Sequence, residues 1–372
     1  MDIHFLPGQH YDCLQCAKSC RTAWKIPVSQ EVFQGLIDSE SVRRVEGLGL
    51  EPFAQSREQL VLTNCEGGCV FLEGNRCHIH ATLGPAAKPT SCRQFPFFPV
   101  ETPDGLFVGV SFYCTAIARN SGRALAEHAS FVSDTPPRLG FGPIRLARRT
   151  SLDWPGYREL ERSLRQRLAL HGHQSLVPVF WALVGQVGPQ RLEADHLSAL
   201  LSHDLPAPPP ELIGLSWLCV RGLMGRVEAP GQANRGFVEA LEAGQPVNFA
   251  SLDFRGSWNQ LTEFPTPELG TLLPRYLDAL LFRKYLLGGR SLLERFLILV
   301  LLPQVVEVYS ILSALARGAE AVAEEDCWRA VDICELRLVT HGREAEVLSL
   351  EMLRACLDLH PRTKKTGDES ED

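Results

Sequence analysis

Hydrophobic residues recur at helical spacing along most of the chain after residue 150. Tyr157, Leu160, Leu164 and Leu168 fall on one face of a predicted amphipathic helix. Glu211–Leu223 is apolar nearly all round, which predicts a buried helix. Further helices are predicted over Leu272–Leu287, from the capping box Ser291–Glu294 through the apolar run Phe296–Val306, over Glu324–Val339 and over Glu344–His360. This half shows no alternation of strands and helices of the nucleotide-binding kind, so it predicts an α-helical domain.

The first 134 residues have a different pattern, because glycine and proline turn signals interrupt them repeatedly. We predict one helix over Ser29–Arg44 and short strands over Gln59–Leu62 and Leu106–Phe112. The fold class is therefore mostly α, with a small irregular cysteine-rich domain packed on a larger helical one. The predicted boundaries are a metal-binding domain over 1–134, a linker over 135–149, a helical domain over 150–360 and a disordered tail over 361–372.

Composition narrows the classes of protein. The 372 residues are 45% hydrophobic and 22% charged, which is typical of a globular chain and argues against a disordered one. The formal net charge of -7 removes the overall positive field that nonspecific binding to nucleic acid or an anionic membrane needs. We therefore expect no nucleic-acid partner and no membrane partner.

The N-terminal sequence bears on the compartment. Met1–Pro7 has no basic segment followed by an apolar stretch, so it does not resemble a signal peptide. The apolar run Phe296–Val306 is interrupted by Pro303 and is shorter than the ~20 residues that span a bilayer. We expect a cytoplasmic protein, where dense cysteines more often bind metal or carry redox chemistry than form disulfides.

The cysteines are unevenly distributed along the chain. The later four, at positions 219, 327, 334 and 356, lie in apolar helical patterns and are interpreted as core residues. The other eight are candidate metal ligands: Cys13, Cys16, Cys20, Cys65, Cys69, Cys77, Cys92 and Cys114. Cys13, Cys16 and Cys20 form a first group and Cys65 and Cys69 a second, with two or three residues between successive cysteines. Such spacings let successive thiolates converge on one ion or cluster.

The type of ligand does not decide the identity of the metal, since thiolates bind both tetrahedral zinc and iron–sulfur clusters. The second group is C-x3-C followed by single cysteines, whereas zinc sites usually pair two C-x2-C knuckles, so the spacing slightly favours a cluster. A 4Fe-4S cluster is our first expectation and zinc the second. His78 and His80 flank Cys77 and are alternative ligands in place of a thiolate.

Four segments together resemble the YkgJ-type cysteine-cluster family, which is described as zinc- or iron-chelating. They are Cys13-Leu14-Gln15-Cys16-Ala17-Lys18-Ser19-Cys20-Arg21, Gly68-Cys69-Val70-Phe71-Leu72, Arg76-Cys77-His78-Ile79-His80 and Ser91-Cys92-Arg93-Gln94-Phe95-Pro96. The family usually has C-x2-C-x2-C-C at the first group, whereas this chain has Ser19-Cys20 there. The turn at Leu83-Gly84-Pro85, the segment Val110-Ser111-Phe112-Tyr113-Cys114 and the long helical second half look closest to the flagellin lysine-N-methylase branch.

This resemblance implies methyl transfer from S-adenosylmethionine to protein lysines, an iron–sulfur cluster in the cysteine domain, and flagellin or another protein as substrate. Tyr113, beside Cys114, is the candidate catalytic residue that receives the amine's proton. A second hypothesis, from a different class, is a carrier of metal or clusters without enzymatic activity, or a redox or assembly factor. The sequence leaves both hypotheses open. It also leaves open whether the eight cysteines serve one site or two.

Overall fold

The structure is a computed structural model and describes residues 2–22, 24–129, 144–202, 205–265, 267, 269–340 and 343–360. The protein is mostly α-helical, with small scattered sheets. The chain divides into two compact units, Met1–Leu139 and Gly140–Asp372. Of the predicted linker, residues 135–143 lie outside the described part, as does the predicted tail over 361–372.

The N-terminal unit is built from short elements. A three-stranded sheet has the central strand Gly105–Val110 between Ile3–Phe5, which is parallel to it, and the antiparallel Phe97–Thr102. The remaining strands pair in twos: His10–Tyr11 with Arg123–Ala124, Phe53–Ser56 with Gln59–Leu62, Asn64–Cys65 with Gly68–Cys69, and Leu72–Glu73 with Arg76–Cys77. The α-helices are Gln30–Leu36, Glu40–Gly47, His78–Leu83, Thr90–Gln94 and Thr115–Ala118, with 3-10 turns at Ser19–Arg21, Pro85–Ala87 and Leu125–His128.

The helix predicted over Ser29–Arg44 is two helices, so that prediction is wrong in its continuity. Ser29 caps the first, its hydroxyl accepting from the backbone N–H of Val32 at 3.3 Å. Ser39 caps the second in the same way, through the N–H of Val42. A side-chain cap satisfies backbone donors that a helix start leaves free, so a second capping serine favours a break. The strand Gln59–Leu62 has the predicted bounds, and the strand predicted over Leu106–Phe112 is Gly105–Val110.

The C-terminal unit is helical around one buried helix, Leu292–Ala316. That helix packs against several of its neighbours in this unit. The other described α-helices are Trp154–His171, Leu176–Val184, Ala194–Ser202, Pro210–Glu228, Ala233–Glu242, Trp258–Glu263, Leu272–Phe282, Glu324–Cys334 and Arg343–Leu359. There are also 3-10 turns at His173–Ser175 and Tyr285–Leu287 and a π-helical segment at Glu335–Thr340.

The central helix contains Pro303 and is longer than the apolar run predicted, because it extends beyond Val306 to Ala316. By length and composition it is the one described helix that meets the requirements for crossing a membrane. However, 83% of its most apolar window is buried inside the structure, as in the core helix of a globular domain. Burial of apolar side chains along this helix outweighs the single backbone hydrogen bond that a proline removes.

Two expectations for this unit are wrong in detail. Pro210–Glu228 is not buried all round, because Ile213 and Leu218 are 63% and 47% exposed. Short strands also occur that the pattern did not indicate, since three residues are too few to show an alternation. They are Arg145–Ala147, Thr150–Leu152 and Gln190–Leu192 in one sheet and Val247–Phe249 with Phe254–Gly256 in another.

Candidate functional site

One cavity of about 420 Å³ in the N-terminal unit brings most of the predicted ligands together, and we call it the thiol cavity. Seven of the eight N-terminal cysteines line it: Cys13, Cys16, Cys20, Cys69, Cys77, Cys92 and Cys114. Cys65 is absent from the lining, and its thiol lies 3.6 Å from the carbonyl oxygen of Gly68. The volume falls in the range of cofactor and small-molecule sites.

The first cysteine loop is held against the second group by a close backbone approach. Gly68 has φ +120°, and a Cβ there would clash with the carbonyl oxygen of Cys20 and the Cα of Arg21. Only glycine fits, because it lacks Cβ and tolerates this backbone conformation. The Arg21 guanidinium adds hydrogen bonds to the carbonyl oxygens of Gly67 and Gly74, at 3.3 Å and 3.0 Å. The glycines of the G-G-C segment therefore place Cys20 beside Cys69.

Three of the thiol-bearing residues pack against one apolar core. Cys69, Cys77 and Cys92 all pack against one cluster of buried residues that includes Leu36 and Phe71. Burying this apolar surface gives the short hairpins and turns a fixed position that their few backbone hydrogen bonds do not supply. The three thiols, on different elements, consequently face the same space.

The remaining three cysteines of the lining, Cys13, Cys16 and Cys114, come from other elements. Cys114 precedes the helix Thr115–Ala118, and the backbone N–H groups of Ile117 and Ala116 donate to its sulfur. The thiol of Cys16 lies 3.7 Å from the hydroxyl of Thr115. Cys13 lies just after the strand His10–Tyr11. Tyr11 also lines the cavity.

Burial controls the ionisation of the best enclosed thiols. It raises the pKa of Cys92 to about 12, the pKa of Cys69 to about 12 and the pKa of Cys114 to about 11. Neighbouring cysteines contribute to these raised pKa values, because two thiolates in one small space repel each other. Thiols at such pKa values are neutral at pH 7, so ligation of a cation must release their protons.

Two lysines that the sequence did not single out line the cavity, Lys18 and Lys88. The positive charge of Lys88 lowers the pKa of Cys92, against the larger effect of burial. It acts in the same direction on Cys20, whose pKa burial and Cys77 raise. The signal was present in the sequence, since Lys18 lies inside the Cys16-x3-Cys20 loop and Lys88 four residues before Cys92.

Tyr113, the candidate catalytic residue, lies next to the lining but is not part of it. The ammonium of Lys18 is 4.5 Å from the centre of the Tyr113 ring, and the ring of Trp24 is 5.5 Å away. Both of these neighbours line the cavity. Tyr113 is therefore linked to the cavity through its contact with Lys18, and its catalytic role stays a prediction.

The two histidines considered as alternative ligands differ in position. His80 lines the cavity, whereas the Nδ1 atom of His78 is 2.9 Å from the hydroxyl of Ser41 and the residue is not in the lining. Burial and the charge of Lys88 lower the pKa of His80. Of the pair, His80 is therefore the one positioned to face a ligand.

The donor set suits a thiolate-ligated group. All twelve cysteines are free thiols, and the later four, Cys219, Cys327, Cys334 and Cys356, are buried as expected of core residues. Among the residues that the structure describes, no three His, Cys, Asp or Glu side chains stand close enough together to hold a metal ion as they are placed. The seven thiols therefore line one cavity without closing around a single ion.

Comparison with known proteins adds one distant relative. An uncharacterized protein of Methanocaldococcus jannaschii is 30% identical over 114 residues, which are 30% of this chain and 38% of that protein. The chain thus matches little more than a third of the relative's length. No family model matches the chain, and no solved structure matches it.

Proposed function

We propose that the N-terminal unit is a cysteine-cluster metal-binding domain of the YkgJ type and that the thiol cavity holds a thiolate-ligated metal centre. The observation that carries this proposal is the convergence of seven free cysteines on one cavity, from segments spread over about a hundred residues of sequence. Buried structural cysteines have no reason to gather around empty space, whereas ligands of one group must do so.

An iron–sulfur cluster, with 4Fe-4S first and zinc second, is the group that we infer. The room between the thiols supports a polynuclear centre, since a single tetrahedral ion needs all its sulfurs within about 2.3 Å of it. Backbone N–H groups also point at sulfur, from Phe71 to Cys69 and from Ala116 to Cys114. Such hydrogen bonds tune the reduction potential of a cluster.

For the activity, we propose methyl transfer from S-adenosylmethionine to a lysine of a partner protein such as flagellin, in the cytoplasm. Tyr11, Trp24 and Phe95 give the cavity aromatic walls, which favour a cation such as a sulfonium. The neutral lysine nitrogen would attack the methyl carbon as the carbon–sulfur bond breaks, with the electron pair staying on sulfur. The nitrogen then loses a proton, which Tyr113 in its phenolate form would accept, beside the Lys18 ammonium.

A second candidate function is a carrier or redox protein without methyl transfer. The exposure of Cys13, Cys16 and Cys20 favours it, because a centre with ligands at the surface exchanges electrons or metal with a partner more easily than an enclosed one. Both candidates require the same metal centre, and they differ in whether a methyl donor binds.

The test is anaerobic purification of the full chain, followed by analysis of iron, sulfide and zinc and by calorimetry with S-adenosylmethionine. We expect iron and sulfide in equal amounts and donor binding at micromolar concentration. Iron and sulfide without donor binding would replace methyl transfer by the carrier or redox function. Absence of both iron and zinc from protein reconstituted with each would refute the metal centre itself.

A pair of tyrosine variants tests the role of Tyr113. Tyr113→Phe should slow methyl transfer to flagellin at least tenfold while leaving the iron content unchanged, as general base catalysis contributes about 100-fold or more. The same change at Tyr285, in the C-terminal unit, should leave the rate unaffected. Equal rates for Tyr113→Phe and the unaltered protein would exclude Tyr113 as the proton acceptor.

A further inference from the structure

Cationic side chains line the thiol cavity and acidic ones do not. The cations are Lys18, Arg76 and Lys88, and no described aspartate or glutamate is part of the lining. The chain as a whole has a formal net charge of -7, so this wall is opposite in sign to the protein. A cavity lined by one sign of charge attracts ligands of the other sign.

Two carboxylates close to the lining in sequence are bound to other partners. Asp12 lies directly before Cys13, but its carboxylate accepts from the Arg123 guanidinium at 2.9 Å. Glu73 is the backbone partner of Arg76 in its hairpin, but its carboxylate accepts from the Nε atom of Arg44 at 3.2 Å. These acids therefore do not neutralise the cations of the cavity wall.

Lys88 is the cation whose backbone is held most firmly at this wall. It lies half-buried between the 3-10 turn Pro85–Ala87 and the helix Thr90–Gln94. The following Pro89, which is buried, restricts Lys88 to extended backbone, and Lys88 has φ -73° and ψ 151°. In the part of the chain that the structure describes, no carboxylate pairs with Lys88.

The surroundings of Lys88 agree with its place in the lining. Burial has the largest effect on the pKa values of Cys20, Cys92 and His80, and the positive charge of Lys88 acts on all three to lower them. The buried lysine of the C-terminal unit, Lys284, is by contrast paired with Glu161. A charge that is partly removed from water is stabilised by a counter-charge, and the described residues supply none for Lys88.

Apolar side chains supply much of the remaining lining. Trp24, Ile26, Ile79 and Phe95 all contribute to it, and the cavity volume is about 420 Å³. Apolar walls with a few fixed charges are typical of sites for small organic molecules, in which the charges orient the ligand. An organic anion therefore fits this lining better than an inorganic ion does.

We propose that the thiol cavity binds an organic carboxylate, with Lys88 as the main partner of its anionic group and Arg76 and Lys18 beside it. This inference goes beyond the proposed metal centre and does not require it. The carboxylate accepts from the Lys88 ammonium, and the apolar part of the ligand packs against walls such as Trp24 and Phe95. Two sources have this chemistry: a free organic acid, and S-adenosylmethionine, which carries a carboxylate of its own.

The first test uses the full chain and two probes that differ in charge, naphthoate and its neutral amide, naphthamide. Calorimetry should show naphthoate binding about tenfold more tightly, because the amide lacks the charge that Lys88 binds. Raising the salt concentration from about 50 mM to about 500 mM should weaken the binding of naphthoate and leave that of the amide unchanged. Equal affinities for the two probes would overturn the proposal, and this comparison needs no variant.

Lys88→Met tests the residue itself, because it removes the charge and keeps an unbranched side chain. It should lower the affinity for naphthoate about tenfold and leave the affinity for naphthamide unchanged. Lys25→Met is the matched control, since Lys25 lies exposed in the same unit and outside the lining, and it should change neither affinity. If Lys88→Met keeps its affinity for naphthoate, with or without a loss of bound iron, the role of Lys88 in anion binding is refuted.

A last comparison distinguishes the two sources of the carboxylate. If S-adenosylmethionine is the ligand, its decarboxylated analogue should bind about tenfold more weakly to the unaltered protein and equally to Lys88→Met. Equal binding of both donors, together with selective binding of naphthoate, would assign the site to a free organic acid. Iron and zinc are measured in the same samples. Selective binding of naphthoate by protein that holds neither metal after reconstitution would refute the metal centre and support the anion site, so the two failures are distinguishable.

Discussion

The two units treat their ionisable side chains in opposite ways. In the C-terminal unit, buried acids are neutralised by the chain itself: Glu335 accepts from Arg283 at 2.7 Å and Glu161 from Lys284 at 2.7 Å. In the N-terminal unit, exposed and half-buried thiols gather around a cavity of about 420 Å³. A buried charge must be paired to be tolerated, and a thiol that binds metal becomes charged. The C-terminal unit thus pairs these buried acids within the chain, whereas the thiols of the N-terminal unit line a cavity.

Two further buried acids of the C-terminal unit are also hydrogen-bonded within the chain. Glu228 accepts from the hydroxyl groups of Tyr309 and Ser251, each at 2.6 Å. Asp326 accepts from the Arg317 guanidinium and from the hydroxyl of Ser313. The bond from Tyr309 to Glu228 joins two helices distant in sequence, and the bonds to Asp326 join two consecutive helices, so both networks fix helix packing as well as neutralise charge.

The largest effect is expected from removing one cysteine of the thiol cavity in the N-terminal unit. Cys77→Ala should lose bound metal and destabilise the N-terminal unit by as much as ~10 kcal/mol, because ligand binding energy is folding energy in such sites. Hydrogen exchange measured by mass spectrometry on the loaded full chain should show faster exchange within residues 2–129.

The matched control for this prediction is Cys219→Ala, which removes a buried thiol in the C-terminal unit. It should retain all the metal and cost only about 1 kcal/mol, as expected for a small change in a packed core. Full retention of metal by Cys77→Ala would contradict the assignment of that residue as a ligand.

The next largest effect is expected from unpairing a buried charge in the C-terminal unit. Glu335→Gln should lower the free energy of unfolding by about 3–5 kcal/mol, since Arg283 is then left buried without its counter-charge. Urea denaturation measures the change, and the metal content should be unaffected.

The double variant Arg283→Met with Glu335→Gln is the control, because it removes both charges. Its stability should lie closer to that of the unaltered protein than that of Glu335→Gln. If Glu335→Gln alone costs less than about 1 kcal/mol, the pair contributes little and the contrast between the units weakens.

The features of the fold and of the thiol cavity that the sequence predicts are those set by interactions between residues close together in the chain. Local patterns predicted the strand Gln59–Leu62 and most C-terminal helices, because spacing and capping act within a few residues. The position of Cys65 outside the cavity was not predictable, since its spacing from Cys69 resembles that of a ligand pair. Which thiols meet depends on the contact of Gly68 with Cys20, a tertiary contact between segments nearly fifty residues apart.

The partners of the buried acids were also not predictable, because they are set by tertiary contacts. Asp326 had no identifiable partner from its own helix, and its partner Arg317 comes from the turn that follows the preceding helix. Lys284 and Glu161 are separated by more than a hundred residues. Charge pairs of this kind are set by packing, and a single sequence gives no signal for them.

The smallest effect is expected from the pH dependence of stability that Asp326 contributes in the C-terminal unit. Burial alone would raise the pKa of Asp326, but hydrogen bonds from Arg317, Ala323 and Ser313 outweigh it and lower the pKa below its usual value. A carboxyl group with a lowered pKa in the folded state stabilises the protein above its unfolded pKa of about 3.9, and this contribution is lost as the pH falls through the folded value. Asp326→Asn should therefore cost about 2 kcal/mol at pH 7, and this cost should shrink as the pH falls below about 3.9. Glu325→Gln, an exposed neighbour in the same turn, should change little at either pH. Denaturant titrations between pH 3 and pH 7 measure both, and an equal loss of stability at the two ends for Asp326→Asn would show that the carboxylate's charge does not support the helical core.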